Sequence, residues 1–218
     1  MTTRRQATKQ LMSAAAIASL PAAALAAELS PIRLPAARME GGMPLLTALK
    51  RRRSTREYLE RALPLQLLSD LLWAGYGINR PSGDRTAPYW RHVMVIDVYV
   101  ATAEGTWRYE PKAHELQPHR AGDLRAQTGR QDFVGLAPLN LVYVAHGERM
   151  ADVSPEERRL YASVDAAFIG QNVYLFCASE GLASVFRGAL DTVALGRTLN
   201  LPAGEFVTFA QTVGYAKP

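Results

Sequence analysis

The sequence predicts an α+β domain with a mainly antiparallel sheet flanked by helices. Three observations predict it. Two helical patterns come first, and a run of short β-rich segments separated by turn residues follows them and reads as a meander. The second half then runs strand, long apolar helix, strand, short helix, strand, which lacks the regular strand and helix alternation of a doubly wound parallel sheet. The chain has 218 residues with 48% hydrophobic content, enough for one compact domain with a substantial core.

In chain order, residues 1–26 read as an export signal. Arg4, Arg5 and Lys9 precede the alanine-rich apolar stretch from Leu11 to Ala27, and Ala24-Leu25-Ala26 offers small residues for cleavage after Ala26. The arginine pair is similar to a twin-arginine signal, with ordinary Sec export as the alternative. Alanine content and Pro21 argue against a stable membrane anchor, so an exported and periplasmic protein is expected. Residues 27–43, rich in proline, glycine and small residues, read as an extended linker, and 44–218 form the domain.

Pro44 suits a first helical position, and Leu45, Leu46 and Leu49 form a stripe that carries the basic run Lys50-Arg51-Arg52-Arg53-Ser54-Thr55-Arg56 to a helix end. Arginine forks and hydroxyls match phosphate oxygens, and free backbone N–H groups would complete such a cradle. A solvated helix face is the other reading of such a run. Leu65, Leu68, Leu71, Leu72 and Tyr76 recur at helical spacing, closed by Gly75 and Gly77. Asn79 to Pro88 is a turn-rich surface loop.

Val93 to Ala101, Thr106 to Tyr109 and Glu115 to Pro118 form the meander. A short polar helix is expected around Asp123 to Gln131, and Leu139 to Ala145 has the apolar density of a central strand. Ser154-Pro155-Glu156-Glu157 opens the long helix with a capping serine and acidic first turn. Its apolar residues from Tyr161 to Ser179 lie on nearly every side, so it is either a central core helix or one shared with a second subunit, with Phe168 and Ile169 in that interface. Gly181 ends it. Ala183 to Arg187 and Phe206 to Tyr215 are strands, joined by a helix over Val193 to Leu199.

Several chemistries are disfavoured. The formal net charge is +5, and removing the leader's three cations leaves +2, too little for a general nucleic-acid binder. Cys177 is the sole cysteine and lies in the long helix, which indicates a buried, inert thiol. His92, His114, His119 and His146 lack metal-ligand spacing, and neither a nucleophile elbow nor a dinucleotide or Walker motif is present. A basic cluster without a protein nucleophile points to a phosphorylated organic cofactor that carries the chemistry.

Four stretches, in order, resemble the nitroreductase family of FMN proteins, near its small exported branch and azoline-oxidising relatives. They are Arg52 to Arg56, Tyr76 to Pro88, Asp165 to Gly188 with its Asp165-Ala166-Ala167-Phe168 and Ser184-Val185-Phe186-Arg187-Gly188 segments, and Val213 to Lys217. The resemblance implies a nitroreductase-like fold and a homodimer with the long central helix at its interface and both subunits lining each FMN. It implies cofactor-binding roles for Arg52, Arg53, Ser54 and Arg56, for Arg187 and Gly188 near flavin N5, and for Lys217 near the phosphate. At the family's flavin-edge serine and asparagine this chain has Tyr89 and His92. Tyr89 and Trp90 either cover part of the flavin face or pack elsewhere.

The implied activity is FMN-dependent two-electron transfer to a small electron-poor acceptor such as a nitroaromatic or quinone. The donor is NAD(P)H or, outside the cytoplasm, a protein or quinol. No side chain is assigned as catalytic acid, base or nucleophile. A flavin dehydrogenase of a peptide-derived or heterocyclic substrate is the alternative enzyme, and a non-catalytic flavin-binding protein the alternative of another class.

Overall fold

The computed structural model describes residues 29–218, so the leader at 1–26 lies outside the described residues. A two-residue strand β1 (Ile32–Arg33) comes first, then helix α1 (Leu45–Arg51), strand β2 (Tyr58–Leu59) and helix α2 (Leu65–Tyr76). The meander is β3 (Ile96–Ala101), β4 (Gly105–Glu110) and β5 (Glu115–Ala121). After a one-turn α3 (Phe133–Leu136) come β6 (Leu139–His146), α4 (Pro155–Glu180), β7 (Ala183–Arg187), α5 (Thr192–Thr198) and β8 (Glu205–Ala216). The fold is α+β, as expected.

The strands join in the order β1-β5-β4-β3-β6-β8-β2, with β7 also on β8, and every one of these pairings is antiparallel. The twelve residues of β8 pair with β6 along one edge. Along the other edge they pair first with β7, from Arg187 opposite Ala210 to Ala183 opposite Gly214, and then with β2, where Tyr58 faces Ala216. That arrangement sets the segment after α1 beside the end of the chain.

The central strand β6 is buried on both faces, and its alternation divides the core. Leu139, Leu141, Tyr143 and Ala145 pack with Leu71 and Leu72 of α2 and Ile169 and Val173 of α4. Val142 and Val144 pack with Leu195 of α5 and Leu199 just after it on the opposite face. Helix α4 begins with a reciprocal cap: Glu157 N donates to Ser154 Oγ at 3.2 Å and Ser154 N donates to Glu157 Oε2 at 3.0 Å. Gly181, left-handed at φ 71°, ends it.

The helix has two apolar sides. Ala162, Ala166, Ile169, Val173 and Cys177 are buried within the chain, whereas Leu160, Val164 and Phe168 recur at four-residue spacing and are exposed. Ile169 therefore belongs to the chain's own core and not to an interface, which corrects the expectation for that residue. Leu45, Leu46 and Leu49 of α1 are also exposed, and Ala48 is the buried residue of that helix.

Three further expectations change. Residues 29–43 are extended but docked: β1 pairs with β5, Leu34 is buried, and Arg38 N and Nε donate to the Asp70 carboxylate at 2.9 and 2.6 Å. The polar helix around 123–131 is instead a 3-10 turn, Arg125–Thr128, because Arg125 reaches back to Asp123 in place of continuing a helix. The basic run leaves the helix after Arg51. Arg52 has ψ 123°, Thr55 N donates to Ser184 O at 2.9 Å, and the chain runs extended into β2. Among the described residues no helix is long and apolar enough to cross a membrane.

Candidate functional site

The end of α1 and the extended run after it form one wall of a cleft of about 660 Å3, with Tyr174 and Ala178 of α4 and Ala183 and Ser184 of β7 opposite. Lys50, Arg51, Arg52 and Arg53 all line it. Among the described residues none of these four, nor Arg56, is in an ion pair. Four cations crowded without counter-charges repel one another and attract an anion. The helix end is a C-terminus, however, and presents carbonyls. Arg52 N already donates to Ala48 O and Thr55 N to Ser184 O, so these backbone N–H groups are not free to cradle a phosphate. The attraction comes from side chains.

Ser54 is tied into the cleft by Tyr174, a residue that sequence reasoning did not single out. The Phe186 backbone N–H donates to Tyr174 Oη at 2.8 Å, and Tyr174 Oη lies 2.8 Å from Ser54 Oγ. A backbone N–H only donates, so Tyr174 is free to pass its own proton to Ser54, and Ser54's proton is then left for a third group. The Arg52 guanidinium lies 5.2 Å from the centre of the Tyr174 ring, within cation–π range. The signal for Tyr174 was a polar-tipped ring inside an apolar helical run, but only the fold shows it opposite the arginines.

Arg56 and Lys217 meet in a neighbouring groove of about 610 Å3, with Arg130 and Phe133. Their nearness follows from β2 pairing with β8, and Lys217 N donates to Glu57 O at 3.1 Å. Arg187 is different. Its side chain is 3% exposed and donates to Thr128 O, Thr128 Oγ1, Asn140 Oδ1 and Thr212 Oγ1, a closed network under the sheet. Burial pushes its guanidinium down to about 10. The Arg187 side chain thus fastens the 125–136 segment that walls the groove, while Gly188 next to it is exposed.

Tyr89 and His92 lie elsewhere in the chain. The Tyr89 hydroxyl donates to Asp84, whose carboxyl is held down to about 2 by hydrogen bonds from Ser82, Tyr89 and Arg80. Trp90 packs against Tyr161 at 5.7 Å between ring centres, and its backbone N–H donates to Asp165 Oδ2 at 3.0 Å. Both rings are thus engaged by their own chain. Asp165 precedes Tyr174 by nine residues, about 13 Å along α4. One chain therefore brings together Arg52, Arg53 and Ser54, sets Arg56 and Lys217 beside them, and leaves Tyr89 and His92 apart.

Residues 49–215 match the profile of the nitroreductase family. The chain belongs to that family. Family membership places it among oxidoreductases. A candidate nitroreductase of Methanocaldococcus jannaschii is 32% identical over 149 residues, 64% of this chain and 75% of that protein. A crystal structure of a candidate nitroreductase from Ralstonia eutropha JMP134 superposes with a TM-score of 0.84 at 44% identity, covering 88% of this chain and 92% of the other. The NADPH:FMN oxidoreductase of Vibrio harveyi, at 21% identity and a TM-score of 0.59 over 80% of this chain and 69% of its own, shares the nitroreductase fold.

Proposed function

We propose that this nitroreductase-family chain is an FMN-dependent oxidoreductase that works as a homodimer and passes two electrons to a small electron-poor acceptor, such as a nitroaromatic or quinone. The observation that carries the proposal is the cleft in which Lys50, Arg51, Arg52 and Arg53 converge without counter-charges. A terminal phosphate fits that donor set, which has more cation than a neutral ligand needs. Bound FMN would supply the two-electron transfer.

The chain's residues supply binding and orientation. Arg52 and Arg53 hold the phosphate, and an anion there selects the arrangement in which Tyr174 donates to Ser54 and Ser54 donates outward. Arg56 and Lys217 serve the polar end of the same ligand from the adjoining groove, and the exposed backbone at Gly188 lies near the reactive ring. Tyr89 and His92 reach a flavin only across a dimer, which agrees with the unpartnered apolar faces of α1 and α4. Export through residues 1–26 belongs to the same reading, and cell fractionation tests it.

Anaerobic reduction of the purified protein, followed by a nitroaromatic or a quinone, tests the activity. Fast reoxidation of a bound flavin is expected. A flavin that stays reduced in the presence of both acceptors would overturn the proposal and leave a binding protein.

A further inference from the structure

A second polar pocket lies between the C-terminal end of α2, the loop that follows it, and strands β3 and β4. Its volume is about 170 Å3, and Tyr76, Arg85, Asp97, Arg108 and Arg149 are among its walls. It shares no lining residue with the basic cleft. Tyr76 is 3% exposed, and among the described residues its hydroxyl has no partner. Arg85 Nε and Nη1 are equally closed off and unpartnered among the described residues, and within them that guanidinium donates only from Nη2 to Met94 Sδ at 3.2 Å, a weak acceptor. Three buried donor atoms at one place disfavour the empty state unless acceptors arrive.

Each neighbouring carboxylate has one oxygen engaged. Asp97 Oδ2 accepts from Arg108 Nη1 at 3.3 Å, and Asp165 Oδ2 accepts from Trp90 N. Glu110 accepts from Lys112 N at 3.1 Å, while Arg149 at the mouth donates to a backbone carbonyl, Met94 O, at 2.6 Å. A guanidinium has no acceptor and stays charged, so the occupant must present oxygen lone pairs and is favoured if it carries negative charge. At ~30 Å3 per water the space corresponds to roughly five or six waters, room for an anion of a few heavy atoms.

We propose that this pocket binds a small oxyanion, a phosphate or a short carboxylate, to which Arg85 and the Tyr76 hydroxyl donate. Isothermal titration of the full chain with inorganic phosphate and, separately, with acetate, each against chloride at equal ionic strength, tests it. The basic cleft also attracts phosphate, so variants at both places are compared. For at least one anion, a binding event is expected that persists in Arg52→Ala and weakens about tenfold or more in both Arg85→Gln and Tyr76→Phe. Response to phosphate alone marks a phosphate ligand, and response to acetate alone a carboxylate. No event in the wild type, or one that survives in both pocket variants, overturns the proposal.

Should Arg85→Gln fail to fold, Tyr76→Phe decides through its melting temperature. Removing an unpartnered hydroxyl leaves the anion-free temperature unchanged or raised and abolishes the rise that the anion gives the wild type. A lower melting temperature in anion-free buffer would show that the hydroxyl is satisfied by trapped water, and would also overturn the proposal.

Discussion

Tyr174 connects the backbone of β7 to Ser54 through one oxygen, so removing that oxygen acts in two places. Tyr174→Phe leaves the Phe186 N–H without its partner, a loss of about 1 to 3 kcal/mol in stability. It also frees Ser54 to rotate away from the ligand. FMN affinity is expected to fall roughly three- to tenfold, the worth of one net hydrogen bond. Fluorescence titration beside a thermal melt checks both, and an unchanged affinity with a lowered melting temperature would confine Tyr174 to a structural role.

Asp165 carries a pH dependence of its own. Burial pushes its carboxyl up to about 6, against the hydrogen bond from Trp90 N that favours the charged form. A carboxyl raised in the folded state binds its proton more tightly there than in the unfolded chain, so its stabilising contribution is full below about pH 4 and is lost as the pH rises through about 6. Asp165→Asn should remove that slope, and at pH 7 the variant should gain up to about 2 kcal/mol on the wild type, less whatever the Trp90 contact loses. Urea denaturation at several pH values measures it. Parallel curves for the two proteins from pH 4 to 7 would contradict the assignment.

At the scale of elements, α4 and β7 approach closely because Gly170 has no side chain. A Cβ there would lie 2.5 Å from Phe186 Cδ2, and Gly170 O also accepts from Gln211 Nε2 at 3.1 Å. Gly170→Ala should therefore destabilise by about 1 to 3 kcal/mol despite alanine's better helix propensity, because the Phe186 ring is packed against Tyr143 and Phe209 and has to shift against them. A stability equal to or above the wild type would show that the ring yields.

The longer elements were legible because their patterns are local. The apolar period of α2, the capping serine and acidic turn of α4 and the β-branched density of β6 need no partner to be read. The two-residue strands β1 and β2 carry no such pattern and exist only through their pairing with β5 and β8. The basic run was legible as a cluster of cations by composition, yet its extended backbone was not, since that path is set by Ser184 and β8. Arg187 was read as a residue near the flavin ring, and nothing local in the sequence announces that its side chain closes a network with Thr128, Asn140 and Thr212. The Tyr76 and Arg85 pocket was hidden for the same reason: its donors are brought together by the fold.

For the whole molecule, the question is what covers the exposed apolar residues of α1 and α4. Leu46 is 80% exposed and Phe168 43%, which is costly for large apolar side chains that share one helical layer. A second copy of the chain is the proposed cover. Phe168→Asp should give a monomer or an aggregate in sedimentation, with secondary structure retained, because this side chain is not in the chain's own core. A stable wild-type monomer that keeps its flavin would contradict the dimer and with it the reach of Tyr89 and His92 to a neighbouring cofactor.

In the proposed function, the unpaired cations at the end of α1 hold the phosphate of FMN. Titration of flavin-free protein with FMN, riboflavin and FAD, in the wild type and in Arg52→Ala, tests it most directly. The wild type is expected to prefer FMN to riboflavin, which lacks the phosphate, and to FAD. Arg52→Ala should keep its circular dichroism and lose at least about tenfold in FMN affinity, with riboflavin little affected, as expected for a charge-assisted contact to phosphate. Equal affinity for FMN and riboflavin, unchanged by Arg52→Ala, would contradict it.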